Sequence, residues 1–224
     1  MDWSSLFRQT NMHTPSFVDR YRQKFEGGPV YPPRIGDATF IILDTETTGL
    51  DVKKDYIISY GSIKVKNYAI SISSARHYFL KQKKVGREAI KIHQIINVEN
   101  ALSLRDFVKL FLDDIENAII VGHHIHFDIA MLEKAVRPLG LKKLLNARLD
   151  TRKLAIRLEM GKHAGHQFIP ARDYGLDALC RRYHIPLDDR HTAAGDAFLT
   201  AQLFLKLLKK AKQKGITTMH DLMT

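Results

Sequence analysis

Apolar positions recur along this chain in several rhythms, and the changes of rhythm mark out its elements. From Ala38 to Leu43 the run ATFIIL is continuously apolar and partly β-branched, which predicts a central strand buried on both faces. Residues 55–65 and 68–80 read as two further strands, the second alternating in YAISIS in the two-residue period of a half-buried strand. Leu104, Phe107, Phe111 and Ile115 fall at helical spacing behind Ser103, a residue suited to capping a helix. AIIVG follows as another buried strand and runs into the helix DIAMLEKAV. A short strand near Arg148–Asp150 and helices around 151–160, 175–183 and 192–212 complete the pattern. The order βββαβαβα predicts an α/β domain with a mixed sheet, helices on its faces and strand ends open for a site.

Residues 1–36 read as an N-terminal extension ending in the turn-rich stretch GGPVYPPRIGD, whose Gly and Pro interrupt regular structure. The main domain is therefore expected over 37–212, with 213–224 as a C-terminal tail. Within the extension, Thr14 and Pro15 supply a helix start, and Phe17, Tyr21 and Phe25 repeat every four residues on one face. Docking of this short amphipathic helix on the main domain is the expectation, and docking on a partner protein the alternative. The basic stretch KLLKKAKQKGITTMHDLMT is expected to continue the last helix and fray, its charges solvated. Binding to a polymerase subunit is the second reading of that stretch.

Composition narrows the class. The 224 residues carry 35 Lys and Arg against 24 Asp and Glu, a net charge of +11, which suits a polyanionic partner, nucleic acid first among them, or serves solubility alone. The single cysteine, Cys180, cannot form an internal disulfide or a cysteine-built zinc finger and points to a reducing compartment, the cytoplasm. No apolar run reaches the roughly 18 residues of a membrane span, and MDWSSLFRQT lacks the order of a signal peptide. A protein that is not exported and has no membrane partner is the expectation.

The candidate chemistry lies at the ends of the apolar runs. Asp44 and Glu46 stand at i and i+2, so a strand turns both carboxylates to one face. Thr47, Thr48 and Gly49 follow in a small turn that lets backbone approach a ligand closely. Asp128 lies where AIIVG gives way to its helix; read alone, it is a helix cap. The third group is His191-Thr-Ala-Ala-Gly-Asp196. Five helical steps would leave His191 and Asp196 roughly 140° apart, so His191 is expected on the preceding loop while Asp196 projects from the helix's first turns. His123, His124 and His126 are not read as a zinc set, because strand alternation would send neighbours to opposite faces and no cysteine is near in sequence.

Together these residues resemble the DnaQ-like family of 3′-to-5′ exonucleases, called DEDDh after four acids and a histidine, over most of residues 38–210. ILDTETTGL is similar to the first motif, VGHHIHFDIAML to the second and RHTAAGDAFLTAQLF, with its His-x-Ala-x-x-Asp, to the third. Ile92-His93, Leu149-Asp150-Thr151 and GLDALCRRYHIPL extend the likeness. The tyrosine that replaces the histidine in a sister subclass would fall at Thr192. Two departures stand out: His123-His124 in place of a common His-Asn, and Gln94 in place of a frequent glycine.

The resemblance implies a ribonuclease H-like mixed sheet and two divalent ions, Mg2+ or Mn2+, held by Asp44, Glu46, Asp128 and Asp196. Asp44 would bridge the ions, Glu46 and Asp196 would hold the water-activating one, and His191 would be the general base. Without metal the four acids should raise one another's pKa values. Thr47, Thr48, Gly49, Leu50, His93 and Phe127 would line the substrate, Leu50 as a wedge between terminal bases and Phe127 beside the last nucleotide. The implied substrate is the 3′ end of single-stranded DNA, as for the proofreading subunit of a bacterial replicative polymerase, with release of nucleoside 5′-monophosphates. RNA trimming and a non-catalytic nucleic-acid-binding or polymerase-assembly module are the alternatives.

Overall fold

The computed structural model describes residues 14–28, 31–81, 100–161 and 171–224. His93 and Gln94 lie outside the described residues. The central strand β1 (Phe40–Thr47) pairs antiparallel with β2 (Ile57–Lys66), which pairs antiparallel with β3 (Ala69–Phe79). Asn67 and Tyr68, both left-handed (φ 51° and 57°), join those two strands, and this handedness matches the twist of a tight hairpin. On its other edge β1 pairs in parallel with β4 (Ile119–Gly122), and β4 with β5 (Arg148–Asp150). The sheet is mixed, in the order β3-β2-β1-β4-β5, as the element pattern predicted. The C-terminal ends of its three parallel strands lie together at one edge.

Alternation along β1 divides the core. Phe40 and Ile42 face one side, with Leu199, Leu203, Phe204 and Leu207 of α6 (Ala193–Gln213) and with Leu154 and Leu158 of α4 (Thr151–Met160). The rings of Phe40 and Phe204 meet edge to face at 4.9 Å. Ile41 and Leu43 face the other side, with Phe107, Phe111 and Ile115 of α2 (Leu104–Ile115) and Ile129 and Leu132 of α3 (His126–Val136). Each such side chain taken from water stabilises the fold by about 2 kcal/mol. Ser103 caps α2 by accepting from the Asp106 N–H, as its position in the sequence predicted.

The strand continues further than its apolar run. It reaches Thr47, so Asp44 and Glu46 lie within β1 rather than just beyond it, on the face that Phe40 and Ile42 share. Thr45 points to the opposite side.

The helix of the extension, α1 (Ser16–Gln23), buries Phe17, Val18 and Tyr21 in the core against α2. The Tyr21 hydroxyl donates to Asn146 Oδ1 at 2.6 Å and accepts from the Leu145 N–H at 2.7 Å, and burial pushes its pKa up to about 12. Docking is therefore intramolecular for this face. The C-terminal stretch departs from the expected fraying. After α6 the chain turns at Gly215 (φ 80°) and forms α7 (Met219–Met223), with Met219 and Leu222 in the core. The Met219 N–H donates to the Pro33 carbonyl at 2.9 Å, because two apolar side chains beyond the lysine run had surface available to cover. Among the described residues, no helix is long and apolar enough to cross a membrane.

Candidate active site

Strand alternation and one glycine bring the acids together. Asp44 is paired across the sheet with Gly61 of β2. A Cβ added at Gly61 would lie 2.2 Å from the Ala193 carbonyl carbon, so the first turn of α6 rests directly on the sheet there. That contact sets Asp196, one turn into α6, over Asp44 and Glu46. Carboxylate oxygens of Asp44, Glu46 and Asp196 all lie within 4.8 Å of one another. Thr192 starts α6 by accepting the Gly195 N–H on its hydroxyl at 3.0 Å.

Asp128 approaches from the opposite side of β1. It sits in the first turn of α3, and its Oδ1 accepts the Thr45 N–H at 3.0 Å and the Thr45 hydroxyl at 2.7 Å. The residue between the two acids of β1 thus anchors the acid of α3. Asp128 is buried, and it acts electrostatically on Asp44.

So many carboxylates in one place disturb their own ionisation. Burial holds Asp44 well above the ordinary carboxylate range, and Asp128, Asp196 and Glu46 add to the effect. Burial and Asp196 bring Glu46 up to about 7. Burial also brings Asp128 to about 6, against the pull of its Thr45 hydrogen bonds. Such a site favours a cation.

One cation present belongs to the chain. Arg190, which the sequence reading did not single out, pairs through Nη1 with Asp196 Oδ2 and donates from Nε to Asp177 Oδ1 at 2.5 Å. Its charge pulls the Asp44 and Glu46 pKa values down. Asp196 Oδ1 is buried and has no hydrogen-bond partner among the described residues, an oxygen left for a ligand that is not protein. The oxygen-only donor set suits a hard divalent ion.

His191 lies where expected, on the loop before α6, with a left-handed backbone (φ 67°), and its side chain is exposed. It is not part of the three-carboxylate cluster; its neighbour Arg190 reaches in instead.

The turn after β1 is built around Asp55. A Cβ at Gly49 would sit 2.6 Å from an Asp55 carboxylate oxygen. Asp55 itself accepts the Thr48 hydroxyl and the Asp51 N–H, each at 2.8 Å. The missing side chain therefore makes room for Asp55, a partner within the chain, while Thr47 donates to the Gly49 carbonyl at 2.8 Å. Leu50, at the tip of this turn, is 85% exposed. Phe127 is half-buried against the α2–α3 core.

The three nearby histidines lie beyond β4, in a turn and the start of α3, not in a strand. His123 is bracketed by the Thr151 hydroxyl at 3.0 Å and the Tyr174 carbonyl at 3.1 Å, and burial brings its pKa down to about 4. It is a neutral brace between α4 and the start of α5 (Leu176–Arg182). His124 has a left-handed backbone (φ 61°), and its N–H donates to Asp150 Oδ1 at 3.2 Å. Histidine and asparagine are both enriched in that conformation, which gives a physical reason why the two can exchange at this position.

Comparison with known proteins places this geometry. A family model described as an exonuclease matches residues 41–204. The PolC-type DNA polymerase III of Thermotoga maritima is 32% identical over 191 residues, which cover 84% of this chain and 13% of that protein. The PolC-type enzyme of Staphylococcus haemolyticus is 28% identical over 205 residues, 88% of this chain and again 13% of its own length. The chain thus spans only a small part of those relatives. Among solved structures, Escherichia coli exonuclease I in complex with a dT13 oligonucleotide superposes with a TM-score of 0.63 at 16% identity, covering 80% of this chain and 43% of that one. Cell-death related nuclease 4 superposes with a TM-score of 0.60 at 12% identity, covering 78% and 64%. These structural likenesses are of fold, the ribonuclease H-like sheet flanked by helices.

Proposed function

The chain belongs to the DnaQ-like 3′-to-5′ exonuclease family, and on that premise we propose that it removes nucleoside 5′-monophosphates from the 3′ end of single-stranded DNA by divalent-metal-dependent hydrolysis. The observation that carries this reading is the meeting of Asp44, Glu46 and Asp196 within 4.8 Å, with Asp196 Oδ1 buried and unpartnered among the described residues.

In this mechanism Asp44, Glu46, Asp128 and Asp196 would hold two Mg2+ or Mn2+ ions. Bound divalent ions supply neutralisation of phosphate charge and a lowered pKa for the attacking water. Asp128 is held ready by Thr45, and Asp196 would offer Oδ1, the oxygen that Arg190 leaves free. His191 would take the proton of the attacking water on a ring nitrogen as general base. Its loop must carry the ring toward the acids, which a turn one residue before a helix start permits. Leu50, exposed at the tip of the turn after β1, inserts between the terminal bases, and the backbone of Thr47, Thr48 and Gly49 passes beside the last nucleotide. Phe127 packs near the same nucleotide. His93 is assigned to the substrate by motif alone.

The test is stepwise shortening of a 5′-labelled single-stranded DNA, with release of nucleoside 5′-monophosphates read by chromatography, in Mg2+ or Mn2+, its arrest by EDTA, and a matched RNA strand. A chain that leaves both strands intact with either metal is not a nuclease. His191→Asn is expected to lower kcat about a hundredfold, and an unchanged rate removes the histidine's role.

A further inference from the structure

At the same sheet edge as the acids, beyond the ends of β4 and β5, two cations stand side by side. Arg152 and Lys153 occupy the first turn of α4, directly after β5. Arg152 Nη1 lies 3.2 Å from His124 Nε2, and Lys153 Nζ lies 2.8 Å from His126 Nε2. Arginine and lysine have only donors to offer, so each histidine accepts on Nε2 in these contacts. Neither cation is compensated by its ring. Among the described residues neither makes an ion pair with a carboxylate, and Arg152 Nε has no hydrogen-bond partner.

One buried acid builds this corner. Asp150 Oδ1 accepts the N–H groups of His124 at 3.2 Å, Arg152 at 2.8 Å and Lys153 at 3.3 Å. A single carboxylate oxygen thus fixes the backbone of both the histidine turn and the cationic turn. The corner adjoins the acids directly. His126 is two residues from Asp128, and Asp150 is near enough to act electrostatically on Asp128.

We infer that Arg152 and Lys153, steadied by His124 and His126, bind a backbone phosphate of the nucleic-acid strand next to the one being hydrolysed. This rests on the nuclease reading above. If the chain cuts one nucleotide from a 3′ end, every other phosphodiester of the strand lies on the 5′ side of the cut, so the strand must leave the acids across a neighbouring surface. A surface with two uncompensated donors beside Asp128 fits that path. Recognition there is of charge and not of base, and is shared by all sequences. The corner depends on His124 and on two adjacent basic residues after Asp150, so it distinguishes this chain's grip on a strand from its chemistry.

The experiment compares the intact chain with Arg152→Gln/Lys153→Gln and with Lys153→Gln alone, an exposed position that cannot prevent folding. Two substrates are used: a single-stranded 12-mer, and the p-nitrophenyl ester of thymidine 5′-monophosphate, which has no second phosphodiester. The ratio of kcat/KM for the 12-mer to that for the ester is expected to fall about tenfold in the double variant, and less in the single one. Binding of the 12-mer with Ca2+ in place of Mg2+ should lose salt dependence, the slope of log K against log salt dropping by about 0.7 for each contact removed. The conservative pair Arg152→Lys/Lys153→Arg should restore both. A wild-type chain that cleaves both substrates, with variants whose ratio and slope match it, overturns the subsite. A wild-type chain that cleaves neither overturns the nuclease reading instead.

Discussion

Asp128 and Asp196 occupy equivalent places, each in the first turn of a helix laid against β1, yet they are held in opposite ways. Asp128 is fixed by neutral donors, the N–H and hydroxyl of Thr45, which need not move when a metal arrives. Asp196 is held by a charge, the guanidinium of Arg190 on Oδ2, while its Oδ1 has no hydrogen-bond partner among the described residues. The first arrangement relies on dipoles and the second on an opposite charge. The difference teaches that one acid of the cluster is oriented without being neutralised, and the other is balanced by the chain's own cation. Buried acids left alone would cost more than an ion pair does.

The strongest way to break this contrast is at the acids. Asp196→Asn and Asp128→Asn are each expected to lower kcat at least about a thousandfold, since each removes several kcal/mol of metal-borne charge stabilisation. They should differ in metal-free stability, because only Asp196→Asn removes one of the two carboxylates that Arg190 pairs with. A thermal melt without metal that ranks the two equally would erase the distinction. Next in size, Arg190→Gln should destabilise the metal-free chain by about 3 kcal/mol, the cost of breaking a largely buried pair. Mg2+ should then raise the Tm of this variant more than that of wild type; equal increments would mean that the arginine does not offset the charge of the acids.

The dependence on pH is smaller. Glu46 at about 7 and Asp128 at about 6 keep protons in the folded chain that the unfolded chain has already released. Stability of the metal-free protein should therefore fall, by roughly 2 kcal/mol after solvent screening, as pH rises from 5 to 7.5. Mg2+ should flatten that slope, and a metal-free chain more stable at pH 7.5 than at pH 5 would contradict the buried acids. Least of all, Thr45→Val removes one hydroxyl and leaves the N–H. It is expected to cost about 1 kcal/mol in stability with a correspondingly modest loss of metal affinity, read by titration calorimetry.

Much of this was legible in the sequence because it depends on periods. The two-residue alternation that puts Asp44 and Glu46 on one face, and the helical spacing of Phe107, Phe111 and Ile115, are local properties that folding preserves. Gly61 left a weaker trace, a glycine inside a strand pattern, which signals close backbone approach without naming what approaches. Arg190 left none. Standing beside His191 in the chain, it differs from it only in the direction that the left-handed turn at Asp189 and His191 gives each side chain, and direction in a loop has no period. The end of the chain was misjudged for a related reason: Met219 and Leu222 are too few to form a pattern, yet enough to be buried.

The register of β1 against β2 has a further consequence. If the strand slid by one residue, Thr45 would turn toward α6 and both acids toward α3, exchanging the contents of the two sides of the sheet. Nothing in the composition of the protein would have changed, and the hydrogen-bond ladder would be as long. What would vanish is the meeting of the carboxylates, so for this chain an alignment error during assembly yields a molecule without any activity to repair, not a slower version of the same catalyst.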